Sequence, residues 1–230
     1  MNKMTEPLKQ MKGEEFVTKL LAGERDFRRI KLEEGFRAPK DEYSSLITYF
    51  NTNTDDFIEN PLNFIGADLS RGYFSGLNFS YAKAQGASFE RSEFPGGLFI
   101  SADLQNANFT QARLTKANFS DATLINANFW DADLSSAYLN KADLTQANFG
   151  SAKLNEAILA NSNVYNASFS NTNLSKANLN YVLNLDHARD LSSAHFLETI
   201  VDRKDLPVLK RAIKDRKTLI YADFFDTYFK

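Results

Sequence analysis

Cysteine is absent from the 230 residues, which excludes disulfides, thiol nucleophiles and cysteine-ligated metals. Histidine occurs only as His187 and His195, too few for a His-rich metal centre, and no carboxylate ligand loop is present. Phosphate-cradling GKS and GxGxxG loops are missing. No apolar run approaches the roughly 18 residues of a membrane span. The opening MNKMTEPLKQMKGEEF carries no apolar stretch of the signal-peptide kind, so a cytoplasmic location is expected. Neither sign of charge prevails, with 27 basic against 29 acidic residues and a net charge of −2.

What is present is a period of five. In ADLQNANFTQARLTKANFS, residues 102–120, Ala returns at 102, 107, 112 and 117, and a large apolar residue at 104, 109, 114 and 119. On an α-helix, five residues advance about 500°, so successive apolar side chains would spiral around the rod. On a straight strand they would alternate faces. Within each unit, however, Ala and Phe or Leu are two apart, which an extended backbone places on one side. A chain that runs extended, turns and repeats with that pair inward is a solenoid.

In this frame the central position runs from Phe64 to Leu179 in twenty-four consecutive units spanning 62–181. Eleven centres are Phe, eleven are Leu, and the exceptions are Ala84 and Val164. Burying each large centre contributes about 1.5–3 kcal/mol relative to exposure, offset by backbone ordering. Ala84 and the sequence FPGG at 94–97 lead us to expect a distorted corner in the second layer.

The units ADLQN, ANFTQ, ADLSS and ADLTQ resemble, almost letter for letter, the A(D/N)LXX unit of the pentapeptide repeat proteins, a bacterial family abundant in cyanobacteria. The resemblance covers about half the chain. It implies a mainly β fold, a right-handed quadrilateral β-helix in which four units make a coil of twenty residues. Six coils would then form a tower about 29 Å tall. Outward columns follow from this register. Glu93, Arg113, Asp133 and Lys153 alternate in sign, Lys116, Ser136, Glu156 and Lys176 form a second column, and Asn106, Asn126, Gln146 and Asn166 suggest an amide ladder.

Open ends of a stacked β tower invite edge-to-edge association unless covered, so 1–61 and 182–230 are expected to act as short α-helical caps around a 62–181 repeat domain. GEEFVTKLLAGER reads as a helix with Phe16, Leu20 and Leu21 inward. Phe27 and Leu32 look like a partial first coil. DEYSSLITYF reads as a second helix, with Tyr43, Leu46, Ile47 and Phe50 at helical spacing, and NTNTDDFIENP as loop. At the other end, Leu191 and Phe196 suggest an irregular further turn, and DLPVLKRAIKDRK a helix with Leu206, Leu209 and Ile213 inward. TLIYADFFDTYFK should pack on the tower. Topoisomerase-targeting members of the family dimerise through their last coils. A substantial C-terminal cap would obstruct that arrangement, so a monomer is expected.

No catalytic, cofactor or metal site is expected. His187 follows Asp186, but adjacency does not make a triad, and Asp131 and Asp133 sit on a convex wall rather than in a cleft. RKDLPVLKRAIKDRK, with seven basic and two acidic residues, is one short helix face rather than a nucleic-acid footprint, and membrane contact is not expected. The outward apolar residues Ile125, Trp130, Tyr138, Ile158 and Tyr165 are the candidate surface for an unidentified protein partner. The favoured reading is a non-catalytic scaffold or protein-binding module. The resemblance implies an alternative, a DNA mimic that modulates type II topoisomerase. Residues 62–181 hold nine acids and eight bases, a balance that disfavours mimicry.

Overall fold

The computed structural model describes residues 7–37, 40–75, 77–212 and 219–221. Their dominant feature is a ladder of parallel bridges between residues twenty apart, from Asn63↔Lys83 through Asn163↔Leu183. Twenty residues are four five-residue units. The fold is therefore a repeat β-helix-like solenoid, and its interior is the column set foreseen from the period. Phe109, Leu134 and Phe149 have no exposed surface, and every Ala in the slot two before a centre is buried. On one side Phe89, Phe109, Phe129, Phe149 and Phe169 form a continuous stack, with centroids 4.8–5.4 Å apart and planes within 8°.

The five-residue unit follows from backbone accounting. In nearly every unit the residue in the small slot donates its N–H to the preceding centre, as from Ala107 to Leu104 O at 3.0 Å, closing a β-turn. The next N–H bonds the layer behind, from Asn108 to Ala87 O at 2.9 Å, and the centre bonds the layer ahead, from Phe109 to Asn128 O at 2.7 Å. The residue after the centre is left without a backbone acceptor. All thirteen Asp or Asn residues in the slot before the centre fill that gap with a side-chain oxygen. Asn108 Oδ1 accepts Thr110 N–H at 3.0 Å, and Asp143 Oδ1 accepts Thr145 N–H at 3.0 Å. This is the Asx-turn chemistry that makes Asp or Asn the preferred second letter.

The fifth residue is left-handed in every described unit, with φ of 54–63° at twenty non-glycine positions and 63–66° at Gly66, Gly86 and Gly96. FPGG therefore does not distort its corner. Pro95 and Gly96 occupy the two central positions of the turn, where proline and glycine suit a type II geometry. Gly97 N–H bonds Phe94 O at 2.9 Å, and Leu98 keeps its bridges to Asn78 and Asn118.

Before the regular ladder, β1 (Lys9–Met11) pairs in parallel with β2 (Ile30–Leu32), and Lys31 bridges Asp68, so this side of the solenoid continues outward by two rungs. Between them lies α1 (Gly13–Leu21), which buries Phe16, Val17 and Leu20 while Leu21 faces out. The three share one helical face, whereas Leu21 lies about 100° beyond Leu20. Phe16 stands edge-on to Phe27 at 5.0 Å and Phe36 at 5.6 Å.

The expected second helix is α2 (Lys40–Thr52), with Leu46 and Phe50 buried and Ile47 packed on the core. The side chain of Tyr43 lies outside the described residues. The stretch read as loop is instead largely helical, as α3 (Thr54–Glu59). Asp55 and Asp56 favour its first turn through the helix dipole. Phe57 is buried 5.4 Å from Phe50, which lies 6.4 Å from Phe79, in line with a repeat centre one rung above it. Arg25 fastens the pair of helices. It donates to Tyr49 Oη and Asp56 Oδ2, both at 2.5 Å, with its guanidinium 4.9 Å from the Phe57 ring centre. The same bond holds the Asp56 carboxyl below the usual carboxylate range.

Beyond 183 the ladder accepts two single-residue insertions. Ser168 bridges Arg189, Asn173 bridges His195 and Asn178 bridges Ile200, with 3₁₀ turns at Leu185–His187 and Leu191–Ser193 taking up the extra residues. Leu185, Leu191, Phe196 and Val201 are buried at the irregular turn foreseen there. β3 (Thr199–Val201) then pairs with β4 (Leu219–Tyr221), again twenty residues on. Between them α4 (Leu206–Ala212) buries Leu209 and rests Leu206 on the core. Ile213 and the readings made over 222–230 lie outside the described residues.

Candidate interaction surface

The solenoid distributes the five outward apolar residues over three of its sides. Tyr138 and Ile158 bridge one another directly and form one patch. Ile125 and Tyr165 share a turn column two layers apart, with Thr145 between them. Trp130 stands in a different turn column, beside Gly150. A Cβ at Gly150 would lie 3.1 Å from Trp130 Cδ1, so glycine makes room for the indole. Asn128 Oδ1 accepts Trp130 N–H at 3.2 Å and fixes its backbone. Trp130, Tyr138 and Tyr165 are 45%, 44% and 40% exposed, whereas Ile125 and Ile158 are half-buried. Tyr165 also meets the His187 ring at 5.2 Å, and His187 Nδ1 lies 2.9 Å from Asp186 Oδ1 on the surface. Additional exposed apolar residues, Tyr181, Leu183 and Leu197, lie at the C-terminal end. Tyr181 and Leu183 fall in outward slots of the same frame, so the period could have revealed them, whereas the two insertions beyond 183 shift the frame before Leu197.

Around these residues the polar columns are partly tied together. Arg113 reaches Glu93 at 3.8 Å, Ser136 Oγ donates to Glu156 at 3.1 Å, and Lys176 reaches Glu198 at 3.8 Å. The column of Asn106, Asn126, Gln146 and Asn166 makes no amide ladder among the described residues. Its members hold the left-handed corner. The amide contact forms instead on the flat wall, from Asn148 Nδ2 to Asn128 Oδ1 at 2.9 Å. A corner chain runs from Arg91 Nε through Gln111 to Asp131, at 2.7 and 3.1 Å.

One feature has no counterpart in the outward-residue reading. Between α3 and the start of the ladder lies an open cleft of about 560 Å³, lined by Arg25, Asp26, Asp56, Glu59 and Lys83 among others. It exists because the helical insertion leans on the first layer, a long-range arrangement with no local motif. Among the described residues no group of three or more His, Asp or Glu is placed to hold a metal ion, and no helix is long and apolar enough to cross a membrane.

The pentapeptide repeats family model matches eight copies, over 62–94, 102–140 and 142–180. The chain belongs to the pentapeptide repeat family. Among solved pentapeptide repeat structures it is similar to Rfr23 from the cyanobacterium Cyanothece 51142, at 23% identity over 60% of this chain and 97% of that one, TM-score 0.37. It is similar to a pentapeptide repeat protein from Nostoc PCC 7120, at 27% identity over 45% and 84%, TM-score 0.39. A trypsin-treated form of QnrB1, a plasmid-mediated fluoroquinolone resistance protein, matches at 18% identity over 70% and 86%, TM-score 0.36. At these scores the superpositions add nothing to the fold, which stands on the twenty-residue register of the chain itself. No curated relative matches the chain.

Proposed function

We propose that this pentapeptide repeat protein is a non-catalytic scaffold or protein-binding module of the cytoplasm. In this reading residues 62–181 form a right-handed quadrilateral β-helix of about six coils, and the described elements on either side of it act as caps. The observation that carries the proposal is the set of aromatic residues Trp130, Tyr138 and Tyr165, each two-fifths or more exposed on rungs hydrogen-bonded to both neighbouring layers. Aromatic anchors on a backbone that is already ordered lose little further freedom on binding, the condition under which such residues dominate an interface. Ile125 and Ile158 would complete the contact.

The test is affinity capture from the lysate of the native organism with the wild-type chain, Trp130→Ala and Tyr165→Ala. A partner retained by the wild type and lost from either variant is the expected result. Equal recovery by all three removes these side chains from the function. The topoisomerase reading has less support, because nine acids against eight bases over 62–181 give no polyanionic face. Added protein should leave gyrase supercoiling unchanged at micromolar concentration; inhibition or protection would reverse the order of the two readings.

A further inference from the structure

One wall of the solenoid differs from the rest. From 78 to 180, the wall built on Asn78, Leu98, Asn118, Tyr138, Ile158 and Asn178 carries only Asn, Ser, Ala, Leu, Ile and Tyr at its outward strand positions and the turn positions that follow them. Each of the other three walls has charged residues in those slots. Here charges stand only on the two borders, at the left-handed corners, with Lys116 on one border and Asp121 on the other in the same layer, and Lys141 one layer on. All three are exposed, and among the described residues none has an ion pair or side-chain hydrogen bond. The other charges on these borders are engaged, Glu156 with Ser136 and Lys176 with Glu198, as is Arg91 with Gln111 at another corner.

We propose that this wall is a self-association surface whose occupant is the same wall of a second copy, lying parallel and related by a two-fold axis that runs along the two towers. That operation exchanges the borders. Asp121 of each copy then stands opposite Lys116 of the other at equal height, giving two matched pairs from charges unpartnered in the monomer. Down the centre each residue meets its own kind: Leu98, Tyr138 and Ile158 bury apolar surface, while Asn118 and Asn178 bring amide N–H donors. One lone pair of each Asn oxygen stays with the N–H of Ser120 or Asn180, and the other accepts across the contact, the Ser120 hydroxyl turning from Asn118 to Asn140 Oδ1. Antiparallel packing about the layers between Asn118 and Tyr138 would set Asp121 against Lys141 but press Asn118 onto Tyr138. The parallel arrangement is therefore the better match.

Six layers at about 4.8 Å, across an edge of about three extended residues, present roughly 250–350 Å² per copy. Stable complexes bury about 800 Å² per partner, so the association is weak and the chain is monomeric when dilute. This inference stands on the composition of one wall and its borders, independently of any partner at Trp130 or Tyr165.

Sedimentation of the full-length chain between about 10 µM and 1 mM tests it, with thermal unfolding confirming that each variant is folded. A concentration-dependent dimer is expected, weakened at least about tenfold by Lys116→Glu or by Asp121→Lys, restored to within about threefold when the two are combined, and lost in Tyr138→Glu. A chain that stays monomeric at 1 mM overturns the proposal, as does a dimer indifferent to all these variants. Weakening by Asp121→Lys with none by Lys116→Glu would assign the contact to Lys141 and refute the parallel arrangement. A dimer seen only after removal of residues 222–230 would mean that the chain's own C-terminal segment, rather than a second copy, occupies the wall.

Discussion

Truncating Phe129 tests the interior of the solenoid. The ring has no exposed surface. It stacks on Phe109 at 4.9 Å and on Phe149 at 5.1 Å, and meets Phe119 edge-on at 5.8 Å. Phe→Ala in a packed core costs about 3–5 kcal/mol, the upper part of that range applying where the site cannot collapse. Collapse is hindered here, because Phe129 N–H bonds Asn148 O at 2.7 Å and the layers are held apart by backbone pairing. Phe129→Leu keeps most of the volume, and leucine already serves at eleven other centres. It forfeits two stacked pairs worth roughly 0.5–1.5 kcal/mol each. Leucine should therefore cost about 1–3 kcal/mol, and alanine about 2 kcal/mol more. Equilibrium urea unfolding would be followed both by circular dichroism and by the emission of Trp130, the only tryptophan. Repeat arrays can unfold piecewise, so the free energies count only if the two probes coincide. A cost below about 1 kcal/mol for alanine, or equal costs for both variants, would refute the stacked interior.

Three further outcomes follow from the outward positions. Asn126→Val places a β-branched residue at φ 58° and should cost about 1–3 kcal/mol in the same assay, whereas Thr123→Val on the extended wall should be near neutral; equal effects would deny the left-handed corner. Arg113→Glu, set between Glu93 and Asp133 by its bridges, should destabilise by about 0.5–1 kcal/mol at low salt and by less at 1 M, and an unchanged thermal midpoint would put the register in doubt. Burial, with a smaller contribution from Asp202 and Asp186, raises the Asp205 carboxyl above its ordinary 3.8. The folded state then binds a proton more readily than the unfolded one, so ionised Asp205 lowers stability as pH rises through that value. Asp205→Asn should raise the unfolding midpoint at pH 7 and lose that advantage at pH 3; an advantage of the same size at both would point to another cause.

The interior was legible from letters because one requirement recurs every fifth residue, two inward slots flanking an Asp or Asn that closes the turn. The corners were not. Their left-handed slot is held by residues as different as Tyr81, Lys116, Glu156 and Asn161, so no letter marks it. For the same reason Pro95 and Gly96 read as breakers in isolation, although the turn they join suits both. The helical nature of 54–59 was hidden in a polar string, since it depends on Phe57 meeting Phe50 and Asp56 meeting Arg25, thirty-one positions away. Of the candidate surface, outwardness was legible. The pairing of Tyr138 with Ile158 was legible too, because they differ by one twenty-residue turn; the accommodation of Trp130 by Gly150 required the structure.

The Asp/Asn slot also separates turn-building from everything else the walls do. Where Asp or Asn occupies it, the side-chain oxygen is committed to the turn. Eleven of the twenty-four units place something else there. Pro95 has no N–H to satisfy, and in nine of the others, from Gln85 to Ser170, the following N–H has no protein acceptor among the described residues, at a cost of about 0.5–1.5 kcal/mol per hydrogen bond. Those departures are unevenly distributed. Tyr73, Glu93, Arg113 and Lys153 fall on one wall, and Leu98, Tyr138 and Ile158 on the uncharged one, leaving two on each remaining wall. On the proposed self-association, Leu98, Tyr138 and Ile158 are side chains kept at the expense of their own turns for the sake of the contact. Restoring the turn should then separate stability from association. Tyr138→Asn and Ile158→Asn would give acceptors to the N–H groups of Asn140 and Ala160, which have no protein partner among the described residues. Each should leave the urea midpoint unchanged or raised while the dimer is weakened. If both variants lost stability and dimerised as well as the wild type, the apolar residues would be serving the fold of the wall and not its contact with another.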